Sequence, residues 1–175
     1  MAGEIKHTVD KVMDTIGGTA GKLGASAMTS ADGFVESAAI GNLYELEAAR
    51  LAVQRSETEP VTNFARKMLL DHTTAMHQMQ AALEMNETSG VALPPKSLDL
   101  RRQTMLKHLE DTPQDDFNKT YMDQQVLAHE ETVSLMRGYA DGGDNPQLRS
   151  LALGMLPVVE RHLQQAKAIK SNNLA

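Results

Sequence analysis

Helical periodicity is clearest in residues 61–83, VTNFARKMLLDHTTAMHQMQAAL. At about 100° per residue the apolar side chains fall on one stripe, with His72 near its centre and His77 pointing away. The stripe consists of Val61, Ala65, Met68, Met76, Met79 and Leu83. This pattern predicts a long amphipathic helix that buries a histidine.

Three further stretches of similar length have the same period, and breakers separate them. Pro60 fits the first turn of the stretch above, Gly142-Gly143 ends the third stretch, and Pro146 opens the fourth. No window alternates apolar and polar residues for long enough to indicate a strand. The predicted long helices cover residues 33–57, 60–86, 115–141 and 146–170. The fold class is therefore predicted to be all-α.

Composition excludes several classes of function. The 175 residues include no Cys, so disulfides, thiolate metal sites and cysteine nucleophiles are excluded, and histidine and carboxylate chemistry remain. The net charge is −6, no Lys/Arg run is present and only 3 Phe and 3 Tyr could stack on bases, so we expect no nucleic-acid binding. The sequence contains neither a phosphate-binding loop motif nor a Ser-centred nucleophile elbow, and it predicts no catalytic residue.

The N-terminal residues form a separate pattern. Residues 3–16 carry apolar side chains at helical spacing, and residues 17–33 hold five Gly among small polar residues, which is typical of a flexible connector. We therefore predict an amphipathic helix and linker in residues 1–31 and a four-helix bundle domain in residues 32–175. The apolar residues of the short helix are Ile5, Val9, Val12, Met13 and Ile16.

Two roles for this N-terminal helix remain open. It can pack against its own domain, or it can dock a partner or a second copy as a homo-oligomer. Glu4, Asp10 and Asp14 interrupt any apolar signal-peptide core, and no segment has the roughly 18 to 20 apolar residues of a membrane span. We therefore expect no cleaved signal, no transmembrane segment and a cytoplasmic location.

A long connection separates the second and third long helices. Residues 87–114 contain Gly90, Pro94 and Pro95, followed from Ser97 by a short amphipathic helix. Such a connection allows a crossover that makes helices two and three parallel, which is the ferritin-like arrangement. It equally allows an up-down-up-down bundle whose short fifth helix caps one end.

One polar residue of each long helix falls within or beside its apolar stripe: Glu45, His72, His129 and His162. The first three lie within about one residue of their helix midpoints, and His162 within about four, or roughly 6 Å. A helix midpoint lies at mid-bundle whichever way the helix runs. The four side chains are therefore predicted to converge.

Two interpretations of this convergence compete. The four groups can form a hydrogen-bonded polar layer, because a buried carboxylate costs several kcal/mol unless it is paired. They can instead form a mononuclear His₃Glu site for a divalent metal, with Zn, Fe or Mn as candidates. Cu is less favoured, since Met68 and Met76 beside His72 are more typical of core packing than of a thioether site.

A di-iron site of the ferritin type is disfavoured. That site needs two Glu-x-x-His motifs, because the spacing puts both ligands on one helix face. Leu69, Val126 and Val159 stand three residues before the histidines instead. Asp71, Glu130 and Glu160 adjoin the histidines, but the wheel predicts that they point off the inner face.

The sequence resembles a bacterial family catalogued as domain of unknown function 4142. The resemblance spans about residues 34–170 and includes Met-x-x-Asp-His, Phe-x-x-x-Tyr and Leu-Pro-x-x-x-x-His-Leu. It is carried by FVESAAIGNLYELEAARLA (34–52), VTNFARKMLLDHTTA (61–75), DDFNKTYMDQQVLAHEETVSLM (115–136) and LRSLALGMLPVVERHLQQAKAI (148–169).

The resemblance implies a ferritin-like four-helix bundle of unestablished activity. It places the family's Glu and three His on Glu45, His72, His129 and His162. Many relatives look exported, whereas this chain lacks a convincing signal peptide. Two functional hypotheses follow: a bundle with a buried metal site, serving metal or oxidative-stress handling, and a non-enzymatic structural or interaction bundle with a polar layer and no metal.

Overall fold

Helices make up nearly all regular structure in the computed structural model, which describes residues 2–173 except the side chains of residues 2–5, 19, 20, 23, 26 and 173. These residues form six α-helices, one 3-10 turn at Asn86–Thr88 and no strand, so the predicted all-α class is confirmed. The helices are α1 (Ala2–Ser26), α2 (Ala31–Arg55), α3 (Glu59–Leu83), α4 (Leu100–Asp111), α5 (Gln114–Gly142) and α6 (Pro146–Asn173).

Local sequence explains where several helices begin. The Ser30 hydroxyl accepts a hydrogen bond from the Gly33 amide at 3.3 Å and caps α2. The Asp99 carboxylate accepts from the Arg102 amide at 2.7 Å and caps α4. Pro60 lies in the first turn of α3, where its missing N–H costs no helical hydrogen bond.

Helix α2 packs against α3 and α5, and α5 runs antiparallel to it. Phe34, near the start of α2, stacks on Tyr139, near the end of α5, with ring centroids 4.1 Å apart. Arg55, at the end of α2, lies over the ring of Phe117, near the start of α5, at 4.2 Å.

Helix α6 packs against α5 and α3, and α3 and α6 are antiparallel. Asn145, just before α6, donates from its amide side chain to the Glu87 carbonyl, just after α3, at 2.9 Å. Since short loops also reverse the chain after α2 and after α5, helices α3 and α5 run in the same direction. The 30-residue segment from 84 to 113 connects them and includes α4.

The apolar core consists of two clusters with a polar layer between them. One cluster surrounds Phe34 and Tyr139, and the other surrounds Phe64 and Phe117. The layer between the clusters contains the four predicted site residues, Glu45, His72, His129 and His162, all buried. An apolar core is interrupted in this way only where the polar groups find partners or ligands.

The predicted end of the N-terminal helix is wrong. Helix α1 continues to Ser26 through most of the glycines of the predicted connector, and only residues 27–30 link it to α2. The reason is close packing against α5. A Cβ atom at Gly18 would lie 3.2 Å from a Leu127 methyl, and one at Gly21 would lie 2.7 Å from the Glu131 carboxyl. Tertiary contact therefore outweighs the low helix propensity of glycine. The division of the chain into two domains stays a prediction.

Helix α1 turns its apolar stripe outward. Val9, Val12, Met13 and Ile16 are each more than half exposed, while the side chain of Ile5 lies outside the described residues. Within residues 2–173, no helix combines the length and the apolarity that crossing a membrane requires.

Candidate metal centre

Four helices each contribute one side chain to the polar layer. Glu45, His72, His129 and His162 are at most 5% exposed. The three imidazole ring centroids lie 5.4 to 5.8 Å apart, and each ring offers a nitrogen within 4.8 Å of the other two. Glu45 Oε1 lies 3.6 Å from His129 Nδ1. The structure thus brings the three predicted histidines together, and the fourth predicted residue, Glu45, lies beside His129.

One nitrogen of each imidazole is held by a hydrogen bond on the outer side of the layer. His72 Nδ1 lies 2.7 Å from the Asn42 side-chain oxygen. His129 Nδ1 lies 2.9 Å from the Gln125 carbonyl, one helical turn back. His162 Nε2 lies 2.7 Å from Asp71 Oδ2. Because these oxygens accept, each bonded nitrogen carries the hydrogen and the other keeps its lone pair. His162 Nε2 also lies 3.2 Å from Lys67 Nζ, but its contact with the Asp71 carboxylate is shorter and places the hydrogen on Nε2.

The other nitrogen of each ring has no hydrogen-bond partner among the described residues. These atoms are His72 Nε2, His129 Nε2 and His162 Nδ1, and Glu45 Oε1 is unpartnered as well. A buried polar atom without a partner is rare and costs about 1 to 3 kcal/mol. Four such atoms in one layer, all lone-pair donors, match the ligand set of a cation.

Burial keeps two of these imidazoles neutral. It lowers the pKa of His72 to about 4, although the nearby Glu45 carboxylate opposes the shift. Burial also lowers the pKa of His162 to about 4, and the neighbouring His129 acts in the same direction. Both rings are therefore neutral at pH 7, which is the form that binds a metal.

Asp71 belongs to the site, contrary to the wheel prediction that it points off the inner face. Its carboxylate bonds both His162 and the Lys67 ammonium. Burial alone would raise the pKa of Asp71, but these two hydrogen bonds outweigh it and hold the pKa below its usual value. Asp71 is therefore ionised and orients His162, as the carboxylate in a carboxylate–histidine–metal arrangement does. Glu130 and Glu160 do point away, and they pair with Lys167 and Arg137.

Glu45 is oriented by α5. Its Oε2 accepts a hydrogen bond from the Gln125 amide at 2.7 Å, which leaves Oε1 facing His129. Two further atoms close to this part of α5, the Tyr121 hydroxyl and the Gln125 Oε1, also lack a partner among the described residues. Burial, followed by the Glu45 carboxylate, raises the pKa of Tyr121, so its hydroxyl stays protonated.

Sequence reasoning missed the residues that orient the ligands. Asn42 lies three residues before Glu45 on α2, Gln125 lies four before His129 on α5, and Asp71 adjoins His72 on α3. Residues spaced three or four apart share one helix face, so their spacing from the predicted ligands could have indicated Asn42 and Gln125. No such signal linked Asp71 to His162 on α6. Met76 also differs from the sequence prediction, which placed it on the apolar stripe: its side chain is 38% exposed and does not line the core.

A second buried histidine cluster anchors α1, and no sequence pattern predicted it. His108 Nδ1 on α4 lies 2.6 Å from Asp14 Oδ2 on α1, and His108 Nε2 lies 3.1 Å from His7 Nδ1. Gln124 donates to the same Asp14 oxygen at 2.8 Å and accepts from the Tyr44 hydroxyl at 2.8 Å. No side-chain atom of these residues is buried without a partner in the described part of the chain.

The fold and the polar layer define an all-α protein with a buried histidine–carboxylate cluster. The chain belongs to the family described as Domain of unknown function (DUF4142), whose model matches residues 18–169. This membership confirms the resemblance that the sequence motifs indicate. No curated protein and no solved structure matches the chain.

Proposed function

We propose that this chain is a ferritin-like four-helix bundle that binds one divalent metal ion through Glu45, His72, His129 and His162. The proposal rests on four buried lone-pair atoms, one on each of these side chains, that have no hydrogen-bond partner among the described residues. The second polar atom of each of these side chains is hydrogen-bonded to another residue, as is usual for histidines and carboxylates that bind a metal.

Helix packing supports the bundle assignment. Helices α2 and α3 form one antiparallel pair, α5 and α6 form the other, and α2 lies against α5 while α6 lies against α3. The parallel helices α3 and α5 are joined by the long segment that contains α4. This combination matches a bundle with one crossover connection.

Donor chemistry favours Zn, Fe or Mn. Three imidazoles and one carboxylate suit these ions, with bonds of about 2.0 to 2.2 Å for zinc. Copper is less favoured because Met76 is exposed and does not complete a thioether set beside Met68 and His72. Zinc has no redox chemistry, so a role in oxidative-stress handling requires Fe or Mn, whereas a role in metal handling does not.

Metal titration of the full chain, purified without an affinity tag, tests the proposal. We expect one Zn, Fe or Mn ion per chain and a raised melting temperature, because the ion binds only the folded state. His129→Ala should abolish both effects. The matched control is His77→Ala, which removes an exposed histidine from α3. Absence of stoichiometric metal, together with an unchanged melting temperature for every ion, would contradict the proposal.

We propose a second, non-enzymatic role for α1: docking against a second copy of this chain. The supporting observation is the exposed stripe formed by Val9, Val12, Met13 and Ile16, spaced as on one side of a helix pair. The flanking cations Lys6 and Lys11 pair with Asp111 and Asp123 of the same chain, so these two described charges beside the stripe are neutralised within the chain. An identical apolar stripe is therefore a better match than a charged peptide or an anionic membrane.

Oligomeric state tests this second role. Light scattering coupled to size exclusion should show a concentration-dependent dimer that the double variant Met13→Glu/Ile16→Glu converts to monomer. Leu153→Glu provides the control, because Leu153 is equally exposed on α6. A monomer at all concentrations, or a dimer that survives the double variant, would exclude the docking role.

A further inference from the structure

An elongated cavity runs between α3 and α6 and reaches the polar layer. Its volume is about 750 Å³, within the range of small-molecule sites. His72 and His162 line one end, and Met85 and Gln147 line the other. The 15 residue steps from Gln147 to His162 on α6 correspond to about 22 Å at a rise of 1.5 Å per residue. The cavity therefore suits a long, narrow ligand.

The wall of the cavity between its two ends is mostly aliphatic, although polar residues such as Gln78 and Ser150 also line it. Apart from the two imidazoles, no aromatic ring lines it among the described residues. Methionine side chains adapt to flexible partners, whereas planar ligands are usually held by rings. The wall therefore fits an alkyl chain better than a flat ring. Its main apolar residues are Ala75, Ala82, Met136, Leu151, Met155 and Val159.

Charge is confined to the histidine end. Among the described residues, the charged ones that line the cavity are two cations and one anion: Lys67, Arg161 and Asp71. Lys67 is bonded to Asp71 and its Nζ lies 3.2 Å from His162 Nε2. The opposite end is lined by uncharged polar groups such as Gln147. The excess of positive charge at one end favours an anionic head group there.

Two glycines stand among the residues that line the cavity. Gly41 on α2 and Gly154 on α6 line it, and a Cβ atom added at either position would have no neighbouring atom within 4 Å. Alanine would be more stable than glycine at such helical positions by up to about 1 kcal/mol, so the open space is not required for folding.

We propose that this cavity binds an aliphatic carboxylate, with its tail between α3 and α6 and its head group at Lys67 and Arg161. The position of the head group beside a metal ion rests on the proposed function, whereas the binding of the tail and the charge preference do not. A chain ending in a carboxylate satisfies the aliphatic wall and the cationic end together.

Calorimetric titration of the full chain with decanoate, decanol and decylamine tests this proposal, with and without bound Zn. We expect decanoate to bind at least tenfold more tightly than the other two. Gly154→Phe and Gly41→Phe should each weaken decanoate binding at least tenfold by filling the cavity. Gly24→Phe is the matched control, since Gly24 also has open space around it but lies on α1. Thermal melts establish that each variant is folded.

The outcomes separate the two proposals. Zn binding without decanoate binding overturns the cavity assignment and leaves the metal centre intact. Decanoate binding without Zn binding supports the cavity and overturns the metal centre. Equal affinity for decanoate and decanol, or unchanged decanoate affinity in both phenylalanine variants, also overturns the carboxylate assignment.

Discussion

Two buried histidine clusters lie in this molecule, and they differ in how completely their polar atoms are paired. In the α1 anchor, formed by Asp14, His108 and Gln124, every buried side-chain atom has a partner among the described residues. In the candidate metal centre, each of the four side chains keeps one atom without a hydrogen-bond partner in the described part of the chain.

Burial alone therefore does not distinguish a structural histidine from a functional one. His108 is 4% exposed and His72 is 5% exposed, yet only His72 presents a free lone pair to the interior. The completeness of hydrogen bonding is the informative property, because an unpaired buried atom is costly unless a ligand satisfies it.

The largest contrast between the clusters should appear in metal-dependent stability. At a free metal concentration about 1,000 times Kd, a bound ion stabilises the fold by about 4 kcal/mol. His162→Ala should lose all of this stabilisation, while His108→Ala should keep it. Denaturant unfolding with and without Zn measures the difference. If both variants respond to Zn like the wild-type chain, the two clusters do not differ in function.

In the metal-free chain, by contrast, the α1 anchor should be the cluster that contributes to stability. Asp14→Ala leaves the bonding groups of His108 and Gln124 without their shared acceptor, at a cost of about 1 to 3 kcal/mol in unfolding free energy. Its Zn stoichiometry should stay unchanged, because α1 supplies no ligand. Asp10→Ala is the control on the same helix, since the pair that Asp10 makes with Lys6 is partly exposed and of little value to stability. Equal stability of the two variants would show that the anchor is dispensable.

Asp71→Asn tests the orientation of a single ligand. Loss of the carboxylate behind a metal-binding histidine typically lowers metal affinity 10- to 100-fold. We expect a loss in that range with the stoichiometry retained, measured by competition with a chromophoric chelator. Glu160→Gln removes an equivalent carboxylate that pairs with Arg137 instead, and it should leave the affinity unchanged.

The smallest effect concerns the glycines of α1. Gly24→Ala should stabilise the chain by up to about 1 kcal/mol, because its Cβ meets open space. Gly18→Leu should instead destabilise it, since the added side chain meets Leu127 on α5. Thermal melts compare the two variants. A stabilising leucine at Gly18 would mean that α1 does not pack closely on α5.

The sequence predicts the parts of the molecule that depend on one helix at a time. The four long helices follow from periodicity and breakers, and Glu45, His72, His129 and His162 follow from their place on each wheel. The length of α1 could not be predicted, because Gly18 and Gly21 pack against Leu127 and Glu131 of a helix that is distant in sequence.

Dependence on helix packing also explains why two contacts within the clusters were not predicted from the sequence. Asp71 reaches His162 across 91 positions of sequence, and Asp14 reaches His108 across 94. A wheel describes which side of its own helix a residue occupies, not which neighbouring helix faces that side. These pairs are determined by how the helices pack, and only the structure shows that packing.

The most direct test is a crystal structure of the Zn-loaded chain with an anomalous difference map. We predict one peak between α2, α3, α5 and α6, with Glu45 Oε1, His72 Nε2, His129 Nε2 and His162 Nδ1 at about 2.0 to 2.2 Å from the ion. The same map should show no peak at Asp14 and His108. A layer without a peak, with the four atoms bonded to one another or to water, would contradict the metal-centre assignment.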